Sequence, residues 1–106
     1  MVEWIQRNCR RPLSLAEVAG RFGYAPESVR DKLVRETGSP FKRHYLQAKM
    51  HRAATLLEEK PQLQVGDAAA FVGMDDPYYF SRLFRKYMGA SPSQYKMSHK
   101  ASGRSA

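Results

Sequence analysis

The sequence predicts an all-α fold of about seven helices, arranged as two helix-turn-helix subdomains joined by a long linker helix. Three observations carry that expectation. Apolar residues recur at helical spacing between Ser, Pro and Gly residues that suit helix ends. From Phe41 to Glu59 nothing interrupts the helical pattern. Finally, the arrangement of the first forty residues returns about fifty positions further on, the mark of an internal repeat.

Taken in order, Val2, Ile5 and Cys9 fall at helical spacing, and Pro12 then stops the first helix. In "SLAE" the Ser14 hydroxyl can cap the next helix while Glu17 reaches back to it, and Leu15, Val18, Ala19 and Phe22 form a buried stripe that Gly23 ends. Pro26 suits the first turn of a third helix, where its missing N–H does no harm, with Val29 and Leu33 facing inward as far as Gly38. This gives a first helix-turn-helix over 14–37. The linker helix, 41–59, is apolar at Phe41, Tyr45, Leu46, Ala48, Met50, Ala53, Leu56 and Leu57, more than one face, which implies contact on two sides.

After Lys60 and Pro61 the plan repeats in a second helix-turn-helix over 65–87. Val65, Ala69 and Val72 stand for Leu15, Ala19 and Phe22, and Gly73 for Gly23. Gly73 to Gly89 is one residue longer than Gly23 to Gly38. Beyond the turn, therefore, Val29 pairs with Phe80, Leu33 with Phe84, Glu27 with Tyr78 and Asp31 with Arg82. A short helix is expected at Ser93 to Lys96, after Pro92. "SHKASGRSA", 98–106, reads as a flexible, solvated tail to a domain covering 1–97.

Composition narrows the partners. The 106 residues carry 18 Lys plus Arg against 10 Asp plus Glu, a net charge of +8, which favours a polyanion: nucleic acid, anionic lipid or acidic protein. Cys9 is the single cysteine, so an internal disulfide and a thiolate metal cluster are excluded, as suits a reducing cytoplasm. No apolar run is long enough to span a bilayer and no signal-peptide pattern opens the chain; the expected location is the cytoplasm.

The segment "DDPYYFSRLFRK" concentrates rings and cations. Asp76 is a good N-cap and Pro77 a good first residue, so a helix is expected from Pro77 to about Tyr87. On it Phe80, Leu83, Phe84 and Tyr87 share the core face. Tyr78, Arg82, Arg85 and Lys86 share the opposite one, with Tyr79 at the margin. Charged helix faces are usually just solvated, but this is the second helix of a helix-turn-helix, the one that enters the major groove. Arg82 could there bond guanine O6 and N7, Tyr78 could pack on a base edge or thymine methyl, and Arg85 and Lys86 could neutralise phosphates. The linker helix, roughly 28 Å long at 1.5 Å per residue, approaches the ~34 Å between successive major-groove openings, so one chain could read two adjacent segments.

"DDPYYFSRLFRKYMGASPSQY" resembles the signature that closes the DNA-binding domain of AraC/XylS regulators: a glycine turn, aromatic-Phe-Ser-Arg, Phe with two basic residues, Gly-x-Ser-Pro and a final Tyr. "PLSLAEVAGRFGYAPESV", "ETG" and "YLQAKMHRAATLL" resemble the first helix-turn-helix and linker helix of the same domain. The resemblance implies seven helices that bind bacterial promoter DNA and usually activate transcription, with RNA polymerase as a further partner. The first helix begins almost at residue 1, shorter than usual for the family, which is compatible with a fragment of a longer regulator carrying an N-terminal sensor or dimerisation domain as well as with a full-length chain.

Carried onto this sequence, the family's base-reading positions fall on Glu27, Arg30 and Asp31 in the first recognition helix, with Arg35 further along it. In the second they fall on Tyr78, Tyr79 and Arg82, with Arg85 and Lys86 beside them. Acids at Glu27 and Asp31 can accept from cytosine N4 but are repelled by phosphate, so the second unit is expected to supply more of the affinity. His44 stands where the family commonly has Tyr, with Tyr45 beside it, and Ala68 replaces a larger aliphatic residue.

No enzyme is expected, and no cofactor or metal. His44 and His51 lie two turns apart on the linker helix, too far to share a metal unaided, and His99 is in the tail. Ser81 has no base nearby, and capping accounts for the neighbouring Asp75 and Asp76. The rival class is a basic helical protein-interaction module without sequence-specific DNA binding, which would need neither the duplication nor the matched linker. An RNA-binding domain is disfavoured because the rings point mostly inward.

Overall fold

A computed structural model describes residues 1–97, the part outside which the expected tail and His99 lie. The described chain is all-α: α1 (Val2–Arg7), α2 (Leu15–Phe22), α3 (Pro26–Thr37), α4 (Phe41–Glu59), α5 (Val65–Phe71), α6 (Pro77–Met88) and α7 (92–97). It divides into two compact units, Met1–Ala48 and Lys49 onward, so that the boundary falls inside α4.

In the first unit Ile5, Val18, Ala19, Val29 and Leu33 form the buried core, ringed by Trp4, Leu13, Leu15, Phe41 and Tyr45. Ser14 caps α2, its Oγ accepting from the Glu17 amide at 3.1 Å. The expected reciprocal bond is replaced: the Glu17 carboxylate pairs with Arg11 at 2.6 Å. α1 also stops earlier than Pro12, at Arg7: Asn8 turns its side-chain amide back onto the Trp4 carbonyl at 2.8 Å, an acceptor its own backbone amide shares at 3.1 Å. Cys9 is nonetheless buried. Phe22, expected in the stripe, remains 37 % exposed at the end of α2, with one edge against the Trp4 ring at 6.1 Å. The departure at His44 has a structural use. The Thr37 hydroxyl donates to Leu33 O at 2.6 Å and meets His44 Nε2 at 2.7 Å, while Tyr45 stacks on Phe41 and donates its OH to Arg11 O at 2.8 Å.

The second unit packs Met50, Ala53, Ala54 and Leu57 of α4 with Ala68, Ala69, Val72, Phe80, Leu83 and Phe84 in its core. Small Ala68 corresponds to Val18, but Phe80 and Phe84 replace Val29 and Leu33, so volume lost on α5 is returned as rings on α6, and all are buried. The true side-chain reach-back lies here, where Asp67 Oδ2 accepts from the Gln64 amide at 3.1 Å. Tyr87 is only half-buried. The terminal helix runs over 92–97, slightly longer than expected.

The duplication is visible atom by atom. Tyr24 N donates to Ala19 O and Met74 N to Ala69 O, each at 2.9 Å, around Gly23 and Gly73 at φ 75° and 78°. The third and sixth helices end alike, Gly38 N on Val34 O and Gly89 N on Arg85 O.

Candidate nucleic-acid interface

A helix displays side chains only if both its ends and its inner face are held. α6 meets both conditions. Asp76 Oδ1 accepts from the Tyr78 amide at 3.0 Å and the Tyr79 amide at 3.3 Å, satisfying orphan donors of the first turn, and Pro77 follows at the position that needs none. Phe80 and Phe84, their rings 5.8 Å apart, are wholly buried. Tyr95 on the terminal helix closes over Phe84 edge-on at 5.4 Å and donates its OH to the Glu58 carboxylate of α4. That burial and the Glu58 partner together push the Tyr95 hydroxyl from 10.0 up to about 12. Lys96 donates to Leu63 O from the same short helix.

The outer face of α6 is then set by helical geometry. Tyr78 is 82 % exposed, Tyr79 39 %, and Arg82, Arg85 and Lys86 are all exposed. The Arg82 guanidinium lies 5.9 Å from the Tyr79 ring centroid, within cation–π range, so the ring steadies a long side chain while leaving its donors outward. This face holds three cations and no acid.

On α3, Glu27, Arg30, Asp31 and Arg35 are likewise exposed, at spacings that follow one side of the helix opposite buried Val29 and Leu33. Their charges balance, two acids against two cations. Sequence reasoning passed over an ion pair beside them, Lys32 to Glu36 at 2.8 Å, whose signal was the four-residue spacing. The hydrogen bond raises the Lys32 ammonium and lowers the Glu36 carboxyl from their ordinary values. Lys32 also lies 6.0 Å from the ring of half-exposed Tyr24 in the turn.

One buried tie within the second unit was invisible in the helical pattern. Lys49, on α4, is only 4 % exposed, and its Nζ donates to Val72 O, at the end of α5, at 2.5 Å. Among the described residues no helix is long and apolar enough to cross a membrane.

A short helix, a left-handed glycine turn and a second helix with a polar outer face, present twice, define the helix-turn-helix class of DNA-binding domain. A family model described as "Helix-turn-helix domain" matches residues 18–98. The chain belongs to the AraC-type helix-turn-helix family, whose members bind DNA and regulate transcription. It is 28 % identical over 101 residues to the multiple antibiotic resistance protein MarA of Escherichia coli, covering 93 % of this chain and 77 % of that protein. With the MmsAB operon regulatory protein of Pseudomonas aeruginosa it shares 48 % identity over 62 residues, 57 % of this chain but only 19 % of that regulator. Among solved structures, the C-terminal domain of AraT, a response regulator from Geobacillus stearothermophilus, superposes with a TM-score of 0.82 at 32 % identity, over 92 % of this chain and 80 % of that one.

Proposed function

We propose that this chain binds promoter DNA sequence-specifically by placing α3 and α6 in adjacent major-groove segments, and that the bound domain regulates transcription, as an activator in contact with RNA polymerase. The observation that carries the reading is the outer face of α6, where a capped first turn exposes Tyr78 and Tyr79 and the Tyr79 ring braces Arg82. Arg82 is assigned to guanine, the only base edge offering two acceptors to its fork. Tyr78 and Tyr79 take apolar and hydrogen-bonding contacts beside it, and Arg85 and Lys86 take phosphates. On α3, Arg30 is a base reader, Glu27 and Asp31 accept from cytosine or adenine amino groups, and Arg35 sits toward the backbone.

Because α3 offers a balanced face and α6 a purely cationic one, α6 contributes most of the affinity. The setting is the cytoplasm of a bacterium, and the domain serves a longer regulator with a separate sensor or dimerisation module, as the length of the P. aeruginosa relative suggests.

The test starts by selecting bound duplexes from a random pool. Wild type and Arg82→Ala are then titrated on the selected duplex and on a scrambled one at two salt concentrations. Affinity should fall steeply with salt, and Arg82→Ala should cost about 1–3 kcal/mol on the selected duplex and far less on the scrambled one. Equal losses on both would make Arg82 a phosphate contact. Failure to enrich any sequence, with salt-insensitive binding, would favour the protein-interaction module instead.

A further inference from the structure

The least expected residue in the second unit is Lys49. A lysine is almost never fully buried unless paired, and taking an ammonium out of water without hydrogen bonds is costly. Yet Lys49 is 4 % exposed, between Ala48 and fully buried Met50 on α4, and it sends its Nζ across to Val72 O at 2.5 Å. That acceptor is not an arbitrary carbonyl. Val72 closes α5, where the last carbonyls of a helix lack intrahelical donors and carry the negative end of the helix dipole. The next residue is Gly73 at φ 78°, the pivot of the turn that leads into α6.

We infer that Lys49 is a positioning residue for sequence discrimination: its ammonium pins the end of α5 to the linker helix and so fixes the turn from which α6 presents Arg82. The inference rests on the DNA-reading role proposed for α6 and adds to it a residue that touches no DNA. A bidentate contact such as arginine to guanine tolerates little displacement, whereas phosphate contacts by Arg85 and Lys86 survive small tilts of the helix. Loosening the turn should therefore damage discrimination before it damages general affinity. Both ends of this bond belong to the second unit, so base reading by α3 should persist.

Lys49→Met keeps the apolar stem of the side chain and removes the donor; Lys49→Arg keeps a cationic donor. Both are compared with wild type on the selected and scrambled duplexes, together with hydrogen exchange at the amides of Val72 to Asp76. Lys49→Met is expected to lower the selected-to-scrambled affinity ratio about tenfold, within the range one good base contact supplies, with little change on the scrambled duplex. Exchange in the turn should quicken, and Lys49→Arg should restore much of both. In an Arg82→Ala background the same change should cost no further discrimination, because the contact it steadies is gone.

If Lys49→Met unfolds the unit, Lys49→Gln, polar but too short to reach the carbonyl, is read in its place. A folded variant that discriminates like a discriminating wild type overturns the inference alone, as does a full loss of discrimination added on top of Arg82→Ala. A wild type that prefers no sequence overturns the DNA-reading role and the inference with it.

Discussion

Tyr95 shows how a single side chain ties the end of the chain to its core. The ring packs on Phe84 and the hydroxyl donates to Glu58, so ionising it would put a second negative charge against a carboxylate. In the folded state the proton stays on until about pH 12, whereas an unfolded tyrosine loses it near 10.0. Between those values the folded form binds the extra proton, so stability falls as pH rises. The contribution is fully present below pH 10 and is lost by the time pH passes 12. Tyr95→Phe removes the hydrogen bond and the titration together. It should lower stability by about 1 kcal/mol at neutral pH, the ordinary net worth of such a bond, and flatten the decline in denaturant midpoint between pH 10 and 12. An unchanged slope in Tyr95→Phe would assign that decline to other groups. In the sequence Tyr95 was legible only as the last letter of a familiar signature; its two partners come from α4 and α6, and no local pattern joins them. Lys49 was less legible still, because its acceptor is a backbone carbonyl 23 residues away, and backbone atoms leave no trace in side-chain periodicity. Ser14 and Asp76, whose caps are local, were readable directly.

Among the elements, the helix ends and turns were the clearest part of the reading, since glycine, proline and capping residues act within a few positions of themselves. Two glycines near the end of α2 illustrate how local the rule is. Gly20 lies inside the helix and Gly23 ends it at φ 75°, and a Cβ added at either meets no heavy atom within 4 Å. Sterics with neighbours therefore cancel out of the comparison. Gly20→Ala should stabilise by roughly 0.5–1 kcal/mol by restricting the unfolded chain, and Gly23→Ala should destabilise by about 1–2 kcal/mol because alanine must enter the left-handed region. Urea denaturation of the two variants should move the midpoint in opposite directions, and movement in the same direction would mean that α2 or its turn is built differently. The sequence pattern misled at two helix ends: Phe22 is the last residue of α2 and has only the edge of the Trp4 ring beside it, and at the end of α1 the Asn8 side-chain amide shares the Trp4 carbonyl. The contrast between α3 and α6 belongs to this scale as well. Asp31→Ala removes a base acceptor together with a charge that phosphate repels, two effects of opposite sign, so affinity for the selected duplex should fall only a few-fold, while Arg82→Ala lowers it about tenfold or more. Equal losses in paired titrations would contradict the asymmetry between the two helices.

At the scale of the molecule, the repeat was the most informative feature of the sequence, because two copies of one unit constrain each other. The offset of fifty before the turn and fifty-one after it reappears as matched hydrogen bonds around Gly23 and Gly73 and matched ends at Gly38 and Gly89. Exposed residues are under no such constraint, which is why Glu27 answers to Tyr78 and Asp31 to Arg82 while the buried positions stay apolar. A duplicated reader on one chain has a consequence for the DNA. When both units engage, the second binds at an effective concentration set by the α4 connection, and affinity exceeds that of either alone. The selected site should thus hold two short elements about one helical turn apart. Inserting five base pairs between them turns the second element to the opposite face of the duplex, away from a second unit tethered to the first. Affinity should then drop at least about tenfold toward that of one unit, whereas inserting a full turn of about 10 base pairs restores the facing but not the span, and should recover little. Titration of the three duplexes against wild type measures this. Indifference to the five-base-pair insertion would show that the units bind independently, and recovery on the longer insertion would show that the connection between them spans two turns as readily as one.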